Sequence, residues 1–510
     1  MEVQDDVKHD SFLTRALRQE EQQRLKGIGT SPCYRRILLV NPPYPGSMER
    51  GSLRAGLGYI AEMLEQANIE FDVFDMELGY EARDLKQKVE TFCPDLIGVS
   101  MMTYWSRHNY GLLKFIKTAY EIPIVVGGPH ISGLEEAVLR ECHSIDYGII
   151  GEGEQTIIEL CLGQDIEKIG GLIYRRGGDI IVNPRRKPIS ELDQLPFPKY
   201  RRFELDKYVS RTIPIVSSRG CPYHCIFCTV STSMGKKVRA RSPANVVNEI
   251  EYWYEKGQRR FGINDDNFTF HAQRVFDLCD EIERRGLRGL GLLCINGVRA
   301  DSVSRELLQR MKEVGFCSLG IGVEAGNDRI LKTIKKGESI GQIEKAIQWA
   351  CELGYEVTLH FVVGTPGETW EDIQDSFSLA QKYPVRNAYF NNLMPYPGAE
   401  LYEWVVSKGY FVIDPAEYFD SVSSWMGIPV FETPELSRED RERALKEAVR
   451  ITREVRKRYY RRKFRKLGIG GEILGWATAF VDDLKSLLRE GRLGRMLLRV
   501  AKRILKKVGI

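Results

Sequence analysis

Three cysteines lie within eight residues of one another: Cys221, Cys225 and Cys228. Three closely spaced thiolates can bind three irons of a four-iron, four-sulfur (4Fe-4S) cubane, which needs four cysteines for full ligation. The fourth iron would then have no protein ligand, and an open metal position is where substrate chemistry can occur, as in catalytic zinc sites. Gly220 lets the backbone approach closely, and Phe227 fits an apolar wall beside such a cluster.

Two other interpretations of this loop stay open. The three cysteines and His224 could bind zinc, although zinc sites usually combine two ligand pairs that are far apart in the sequence. The thiols could also be buried and unligated. The other eight cysteines are scattered singly, and we expect them to be small buried residues: Cys33, Cys93, Cys142, Cys161, Cys279, Cys294, Cys317 and Cys351.

The composition is that of a soluble globular protein, with 510 residues of which 43% are hydrophobic and 28% charged. At roughly 100–200 residues per domain, we expect two to four domains. The N-terminus is charged throughout, and no stretch reaches the roughly 20 apolar residues of a membrane span. We therefore expect a cytoplasmic protein without a disulfide framework.

The elements that must position the cysteines begin with a β/α alternation. Residues 1–33 have the pattern of a charged helical leader. Five short apolar runs alternate with helical segments over residues 34–164, which predicts a doubly wound, Rossmann-like sheet with a ligand site at the carboxyl ends of its strands. Residues 165–210, with a hairpin pattern and a Pro-rich charged stretch, are expected to be a connector.

A second alternation with a longer period occupies residues 211–432. Its six β/α units predict a partial barrel, with chemistry at the carboxyl ends of the strands. Polar or Gly-rich motifs follow successive candidate strands, and the cysteine loop follows the first of them. Residues 433–510 are expected to be helical and basic.

The cysteine spacing in this context resembles the radical S-adenosylmethionine (SAM) superfamily, over roughly residues 210–400. The resemblance implies a 4Fe-4S cluster on the three cysteines, whose open iron chelates SAM. An electron from the cluster then yields a 5'-deoxyadenosyl radical. It also implies SAM contacts at Phe227, Asp265, Asp266, Asn267, Arg299, Glu324, Gly326, Gly364 and Pro366.

Residues 35–160 resemble the cobalamin-binding domain that precedes the barrel in one subgroup of that superfamily. Small residues at strand ends would let a flat macrocycle lie close to the backbone. The contacts implied by this resemblance are Asn41, Pro42, Ser100, Gly127, Gly128, His130, Gly151, Glu152 and Gly153. For His130, a hydrogen-bonding loop residue is the competing interpretation.

The chain departs from one cobalamin pattern. None of its seven histidines lies in the Asp-x-His-x-x-Gly motif that supplies a lower axial ligand in cobalamin mutases. Many radical members also lack that motif, so cobalamin stays the expected cofactor, and a domain that kept the fold but lost the cofactor stays open. With cobalamin, the resemblance implies methylation of an unactivated carbon.

The last 60 residues carry 18 Lys and Arg against 5 Asp and Glu, although the whole chain has a net charge of only +4. Residues 491–510 form an amphipathic, cationic pattern that could contact anionic lipid or a lipid-like substrate. The competing interpretation is a helix that packs on the barrel with a solvated basic face. No recognisable RNA-binding module follows the barrel, so we expect no nucleic-acid partner.

The sequence therefore predicts a cobalamin-dependent radical SAM C-methyltransferase. It would act on a small-molecule or lipid-like substrate and take electrons from a donor such as flavodoxin or ferredoxin. It would be cytoplasmic, with peripheral contact to the inner face of the membrane as an option. A radical cyclase, ring-rearranging or coupling enzyme of the same architecture is the alternative, and a non-catalytic, zinc-stabilised binding protein is a third hypothesis.

Overall fold

The structure is a computed structural model that describes residues 34–44, 51–421 and 427–465. The predicted leader of residues 1–33 and the predicted amphipathic helix of residues 491–510 lie outside these ranges. The described chain forms two sheets, and each is covered by helices. None of the described helices combines the length and the apolar character that a membrane span requires.

The N-terminal sheet has seven strands in the order β2-β1-β3-β4-β5-β6-β7, and its first five strands are parallel. The inner parallel strands are nearly continuous apolar runs, as expected where both faces of a sheet are covered, whereas the edge strand β2 carries three acidic residues. The strands are β1 (Arg36–Asn41), β2 (Glu70–Asp75), β3 (Leu96–Ser100), β4 (Ile124–Gly127), β5 (Tyr147–Ile149), β6 (Leu172–Arg176) and β7 (Asp179–Val182). The predicted doubly wound sheet is confirmed.

Six helices cover this sheet: α1 (Ala55–Gln66), α2 (Ala82–Phe92), α3 (Ser106–Tyr120), α4 (Pro129–Leu134), α5 (Glu136–Glu141) and α6 (Glu154–Cys161). Apolar residues of α1 and α6 share a core with the second sheet, whereas α2, α3 and α5 pack in a separate core on the opposite face. The helices on the first face therefore connect the two sheets.

The hairpin of β6 and β7 corrects the prediction for residues 165–210. Strand β6 pairs antiparallel with β5, so the hairpin extends the first sheet and is not part of a connector. Leu172 and Ile173 are fully buried in it. The sequence pattern of a hairpin was correct, but its partner strand lies more than 20 residues away and leaves no local signal.

The second sheet has six parallel strands in the order β15-β14-β13-β12-β11-β8, as the six β/α units predicted. The strands are β8 (Ile213–Ile215), β11 (Arg260–Ile263), β12 (Gly291–Val298), β13 (Phe316–Glu324), β14 (Glu356–Val363) and β15 (Asn387–Asn392). A separate antiparallel pair, β9 (Ser218–Arg219) and β10 (Arg239–Ala240), flanks the cysteine loop.

Most helices of this half lie between successive strands, and the last three follow the last strand. They are α7 (Val230–Ser233), α8 (Pro243–Glu255), α9 (Ala272–Arg284), α10 (Arg305–Glu313), α11 (Asp328–Thr333), α12 (Ile340–Glu352), α13 (Trp370–Lys382), α14 (Glu400–Lys408), α15 (Pro415–Ser421) and α16 (Arg438–Phe464). Helix α16 packs along β15 and α13 and so closes the far edge of the second sheet.

Gly326, just after β13, has no room for a side chain. A Cβ there would lie 2.3 Å from the backbone of Asp375 and Ser376, and the Gly326 amide donates a 2.8 Å hydrogen bond to Ser376 Oγ. Because both neighbouring atoms belong to the backbone of α13, the clash can be relieved only by moving the helix.

We predict that Gly326→Ala destabilises the protein by about 2 kcal/mol or more, which lowers the apparent melting temperature by about 4 °C or more. Gly341→Ala is the matched control, because a Cβ at Gly341 in helix α12 meets nothing within 4 Å. The control should melt at or above the wild-type temperature. Equal melting temperatures for the two variants would contradict the packing described here.

Candidate active site

The cysteine loop leaves the end of β9 and returns through α7 towards β10. Cys221, Cys225 and Cys228 are all half-buried, and all three line one cavity of about 180 Å³. Gly220 has φ +89°, and a Cβ there would lie 2.4 Å from the carbonyl oxygen of Lys237. Glycine is therefore required at this position by the close approach of the neighbouring strand.

Two backbone hydrogen bonds hold the middle of the loop. The amide of Ile226 donates to the carbonyl of Ile334 at 3.2 Å, and its carbonyl accepts from the amide of Leu401 at 2.8 Å. The side chain of Ile226 is buried, and Phe227 packs partly buried against the hydrophobic core. The loop is thus fixed between Cys225 and Cys228 by two distant segments.

The loop fits a cubane cluster. Within the described residues, no three side chains of His, Cys, Asp or Glu converge on the position of a single metal ion. The three thiols instead surround a common cavity, and a cubane takes each cysteine on a different iron. Burial raises the pKa of Cys225, and it raises the pKa of Cys228 to about 11, so these thiols stay protonated until a metal displaces the proton.

A second cavity, of about 350 Å³, lies between the two sheets. It opens at the carboxyl ends of β1, β3, β4 and β5, where the strand order of the first sheet reverses and where open α/β sheets bind their ligands. Its wall contains six glycines: Gly56, Gly98, Gly127, Gly128, Gly151 and Gly153. A Cβ at Gly56 or Gly127 would meet nothing within 4 Å, so these glycines leave space that a side chain would fill.

Six of the nine residues predicted to contact cobalamin line this cavity: Ser100, Gly127, Gly128, Gly151, Glu152 and Gly153. The other three face elsewhere. Asn41 is buried and donates a 2.8 Å hydrogen bond to Asp75 Oδ1, and Pro42 is buried beside it. These two residues hold the end of β1 to β2 and are not part of the cavity wall.

His130 is not in the cavity either. It lies in the first turn of α4, is 1% exposed, and its Nε2 is 2.6 Å from the hydroxyl of Tyr110 on α3. Burial lowers the pKa of His130 to about 4, so the ring is neutral at physiological pH. The structure therefore supports the competing interpretation of a hydrogen-bonded loop residue.

Residues of the barrel close the open side of this cavity. The sequence analysis had not predicted this role for them. Arg219 forms ion pairs with Glu152 at 2.8 Å and with Glu154 at 2.6 Å, and its guanidinium lies 4.8 Å from the ring centre of Tyr59. Glu152 also accepts from Arg239 at 2.8 Å. These four charged side chains are all buried, and we call them the interdomain ion pairs.

The motif after β11 has divided roles. Asp265 is 2% exposed and accepts 2.6 Å hydrogen bonds from the backbone amide and hydroxyl of Ser217 and from the hydroxyl of Ser218, so it braces the chain before the cysteine loop. Asp266 lines the glycine-rich cavity between the two sheets and accepts a hydrogen bond from the amide of Gly220 at 2.8 Å. Burial raises the pKa of Asp266 to about 6. Asn267 is fully buried.

Five side chains of alternating charge lie next to the cysteine loop. Arg299 lies 2.9 Å from Asp301 and 3.7 Å from Glu338, and Lys336 lies 3.3 Å from Glu338 and 3.0 Å from Glu324. We call these five residues the ion chain. Arg299 and Glu324 were predicted as SAM contacts. The sequence predicted no role for their three partners. Lys336 and Glu338 reach Glu324 and Arg299 from a distant segment, which leaves no local signal, and Asp301 follows Arg299 by two residues.

The loop after β14 is shaped by its last residue. The Glu368 carboxylate accepts from the amides of Gly364 at 2.5 Å and Thr365 at 3.0 Å, and Gly364 has φ +101°. The guanidinium of Arg441 from α16 fills the space where a Gly364 side chain would be, so the C-terminal helix supports this loop. Pro366 is half-buried at its tip.

Two family models match the chain. The B12 binding domain matches residues 53–161, and the Radical SAM superfamily matches residues 215–380. The first range contains the glycine-lined cavity, and the second begins at the end of β8 and contains all three cysteines.

This chain contains a radical SAM domain that is preceded by a B12-binding domain.

Three curated relatives match most of this radical SAM protein. An uncharacterized methyltransferase of Pyrococcus horikoshii is 29% identical over 79% of this chain and 90% of the relative. The cytidylyl-2-hydroxyethylphosphonate methyltransferase of Streptomyces wedmorensis is 28% identical over 78% of this chain and 86% of the relative. The anaerobic magnesium-protoporphyrin IX monomethyl ester cyclase of Rubrivivax gelatinosus is 26% identical over 73% and 70%.

Two solved structures share the fold of this radical SAM protein. The methyltransferase TsrM from Kitasatospora setae, with cobalamin and a 4Fe-4S cluster bound, superposes with a TM-score of 0.64 at 20% identity, over 81% of this chain and 85% of TsrM. The cobalamin-dependent radical enzyme OxsB superposes with a TM-score of 0.68 at 15% identity, over 94% and 76%. The shared fold therefore extends over both domains of this chain.

Glu368 predicts a pH dependence of stability. Burial raises its pKa from 4.5 to about 7, so the folded protein holds this proton more tightly than the unfolded chain does. The stabilising contribution of this carboxyl is therefore complete below about pH 4 and is lost as the pH rises through about 7. Gln at this position keeps an oxygen that can accept both amide hydrogens but cannot ionise.

We expect Glu368→Gln to match the wild type in stability near pH 5 and to exceed it above pH 7, by on the order of 3 kcal/mol. Melting temperatures of both proteins between pH 5 and pH 8 test this. Glu371→Gln, which removes an exposed carboxyl nearby, is the control. A difference between wild type and Glu368→Gln that is the same at every pH would contradict the assignment.

Proposed function

We propose that this protein transfers a methyl group from SAM to a carbon atom of a small molecule, with a 4Fe-4S cluster and cobalamin as cofactors. The proposal rests on one segment of chain that forms part of the wall of both cavities, and we call this segment the shared wall. Arg219 and Asp266 line the glycine-rich cavity of the B12-binding domain, and Gly220, which donates to Asp266, is followed directly by Cys221. The two candidate cofactor sites therefore lie on either side of one turn of chain.

When bound, the cluster supplies an electron for the cleavage of SAM, and cobalamin supplies the capacity to carry a methyl group. The residues of this chain hold and orient these groups. Cys221, Cys225 and Cys228 would ligate the cluster. The interdomain ion pairs fix the distance between the two domains and keep water out of the turn between the cavities, because all four side chains are buried.

Helix α7 supports a position for the substrate. Val230 and Ser231 line the cysteine cavity, whereas Thr232 and Ser233 line a separate cavity of about 130 Å³. Met234 lines the glycine-rich cavity. Because α7 and the residue that follows it border all three spaces, a substrate in the small cavity would be adjacent to both cofactor sites.

The small cavity also has an aromatic wall. Tyr104 of the B12-binding domain and Tyr396 of the barrel both line it, and burial raises the pKa of Tyr396, so its hydroxyl stays protonated. This wall suits a flat or partly apolar small molecule that presents a hydrogen-bonding group.

A radical cyclase is the second candidate function, and one observation favours it. The anaerobic cyclase of Rubrivivax gelatinosus matches 73% of this chain, almost as much as the methyltransferases do. The two functions differ in their coproducts. A methyltransferase that takes its methyl group from SAM releases S-adenosylhomocysteine, whereas a cyclase releases none.

The remaining partners are also proposals. Radical SAM chemistry needs a one-electron donor, and we propose a flavodoxin or a ferredoxin. The basic residues 491–510 motivate a lipid-like substrate or a peripheral contact with an anionic membrane. Binding of the holoenzyme to vesicles with and without anionic lipid would test that contact, and equal binding to both would contradict it.

We predict that Cys221→Ala, Cys225→Ala and Cys228→Ala each abolish reductive cleavage of SAM and lower the iron content well below about four irons per chain. Iron analysis and 5'-deoxyadenosine formation, both after anaerobic reconstitution, measure this. Cys93→Ala, which removes an exposed cysteine on the far side of the first domain, should change neither quantity. SAM cleavage by any of the three variants would overturn the cluster assignment.

We predict that Gly127→Leu blocks cobalamin without unfolding the protein, since a Cβ at Gly127 meets open cavity space. The variant should lose bound corrinoid and S-adenosylhomocysteine formation, yet keep its iron and its 5'-deoxyadenosine formation. Gly111→Leu, on the exposed surface of α3, is the control. A wild-type protein that binds corrinoid but forms no S-adenosylhomocysteine from SAM would refute the methyltransferase and favour the cyclase.

A further inference from the structure

The ion chain places a positive charge, on Lys336, and a negative charge, on Glu324, next to the cysteine loop. Lys336 is 6% exposed, and its ammonium group contacts the carboxylates of Glu324 and Glu338 at 3.0 and 3.3 Å. Burial alone would lower the pKa of Lys336, but the two carboxylates raise it above its usual value, so the residue is charged. Arg299 continues the chain and lies 3.4 Å from the ring centre of Tyr223 in the loop itself.

Backbone geometry ties Lys336 to the cysteine loop. The carbonyl of Ile334, two residues before Lys336, accepts the 3.2 Å hydrogen bond from Ile226, the residue that follows Cys225. Lys335 and Gly337 both have positive φ, at 56° and 72°. This tight turn directs the side chain of Lys336 inwards, whereas the side chain of Lys335 points to the surface and pairs with Glu400.

Lys336 and Glu324 bring charges of opposite sign to one side of the cysteine loop. Lys336 follows Ile334 by two residues, the Ile334 carbonyl binds the residue after Cys225, and the Lys336 ammonium contacts the Glu324 carboxylate at 3.0 Å. Both side chains are largely buried, at 7% and 13% exposure, so solvent and salt screen them little. A charge at Lys336 or at Glu324 is therefore felt by whatever group Cys225 holds.

We propose that Lys336 is a positioning residue that sets the reduction potential of the cluster, and that Glu324 opposes it. The inference rests on the proposed function only in that it needs a 4Fe-4S cluster on the three cysteines. Reduction adds one electron to the cluster. A nearby cation stabilises the reduced form and raises the potential, and a nearby carboxylate lowers it.

The test compares two variants that remove charges of opposite sign from one ion pair. Lys336→Met should shift the cluster midpoint to a more negative potential, and Glu324→Gln should shift it to a more positive one. The midpoint is measured on the reconstituted full chain without SAM, from the EPR signal of the reduced cluster in a redox titration. Lys332→Met, which removes an exposed lysine from helix α11 just before this turn, is the matched control and should leave the midpoint unchanged.

A merely structural role for the ion chain predicts a different pattern. Loosening the loop would move both midpoints in the same direction or broaden both signals, and that result would overturn the proposal, as would two unshifted midpoints. If Lys336→Met fails to fold because it leaves Glu338 buried and unpaired, the double variant Lys336→Met/Glu338→Gln removes that carboxylate as well. Its midpoint should still be more negative than that of the wild type.

Iron content separates this inference from the proposed function. If the wild type binds no cluster, the function fails. If all variants hold about four irons per chain but their midpoints do not diverge, only the role of Lys336 fails.

Discussion

The architecture depends on a set of buried charges at the junction of the two domains. Pairing of β9 with β10 places Arg219 directly opposite Arg239, and like charges across a strand pair are unfavourable. Glu152 and Glu154 from the first domain neutralise both arginines, with contacts of 2.6 to 2.8 Å. Without the B12-binding domain, the two guanidinium groups beside the cysteine loop would lose the carboxylates that contact them, so the junction depends on both domains.

Several motif residues also use their carboxylates in contacts with other groups of the protein. Asp265 braces Ser217 and Ser218, and Glu368 caps the amides of its own loop. Glu152 lines the glycine-rich cavity, but its carboxylate contacts arginines of the barrel. Asp265 and Glu368 each bind backbone amides just after a strand, and Glu152 joins the first domain to the barrel. Function at this rim therefore depends on rigid loops as much as on the groups that touch a ligand.

Local patterns in the sequence were sufficient for most of the fold. Strand β13 (Phe316–Glu324) is an example, because an apolar run that follows a glycine carries its own signal. The cysteine loop was likewise recognisable from its spacing, and the glycines of the first domain were predicted from the resemblance to a cobalamin-binding domain. What the sequence could not supply were pairings between distant segments: β6 with β5, Arg219 with Glu152, and Lys336 with Glu324. Nor could it show that His130 turns towards Tyr110, since the direction of a side chain in a first helical turn is set by what packs against it.

The central claim is that the cluster and cobalamin occupy neighbouring cavities across the turn at Gly220. EPR spectroscopy of the holoenzyme, with both the cluster and the cobalt in paramagnetic states, tests this most directly. The account predicts that the two signals are split or broadened by spin–spin interaction, and that each is restored to its isolated form in protein that carries only one cofactor. Two full-occupancy signals that are unaffected by each other would contradict the shared wall and with it the proposed methyl transfer.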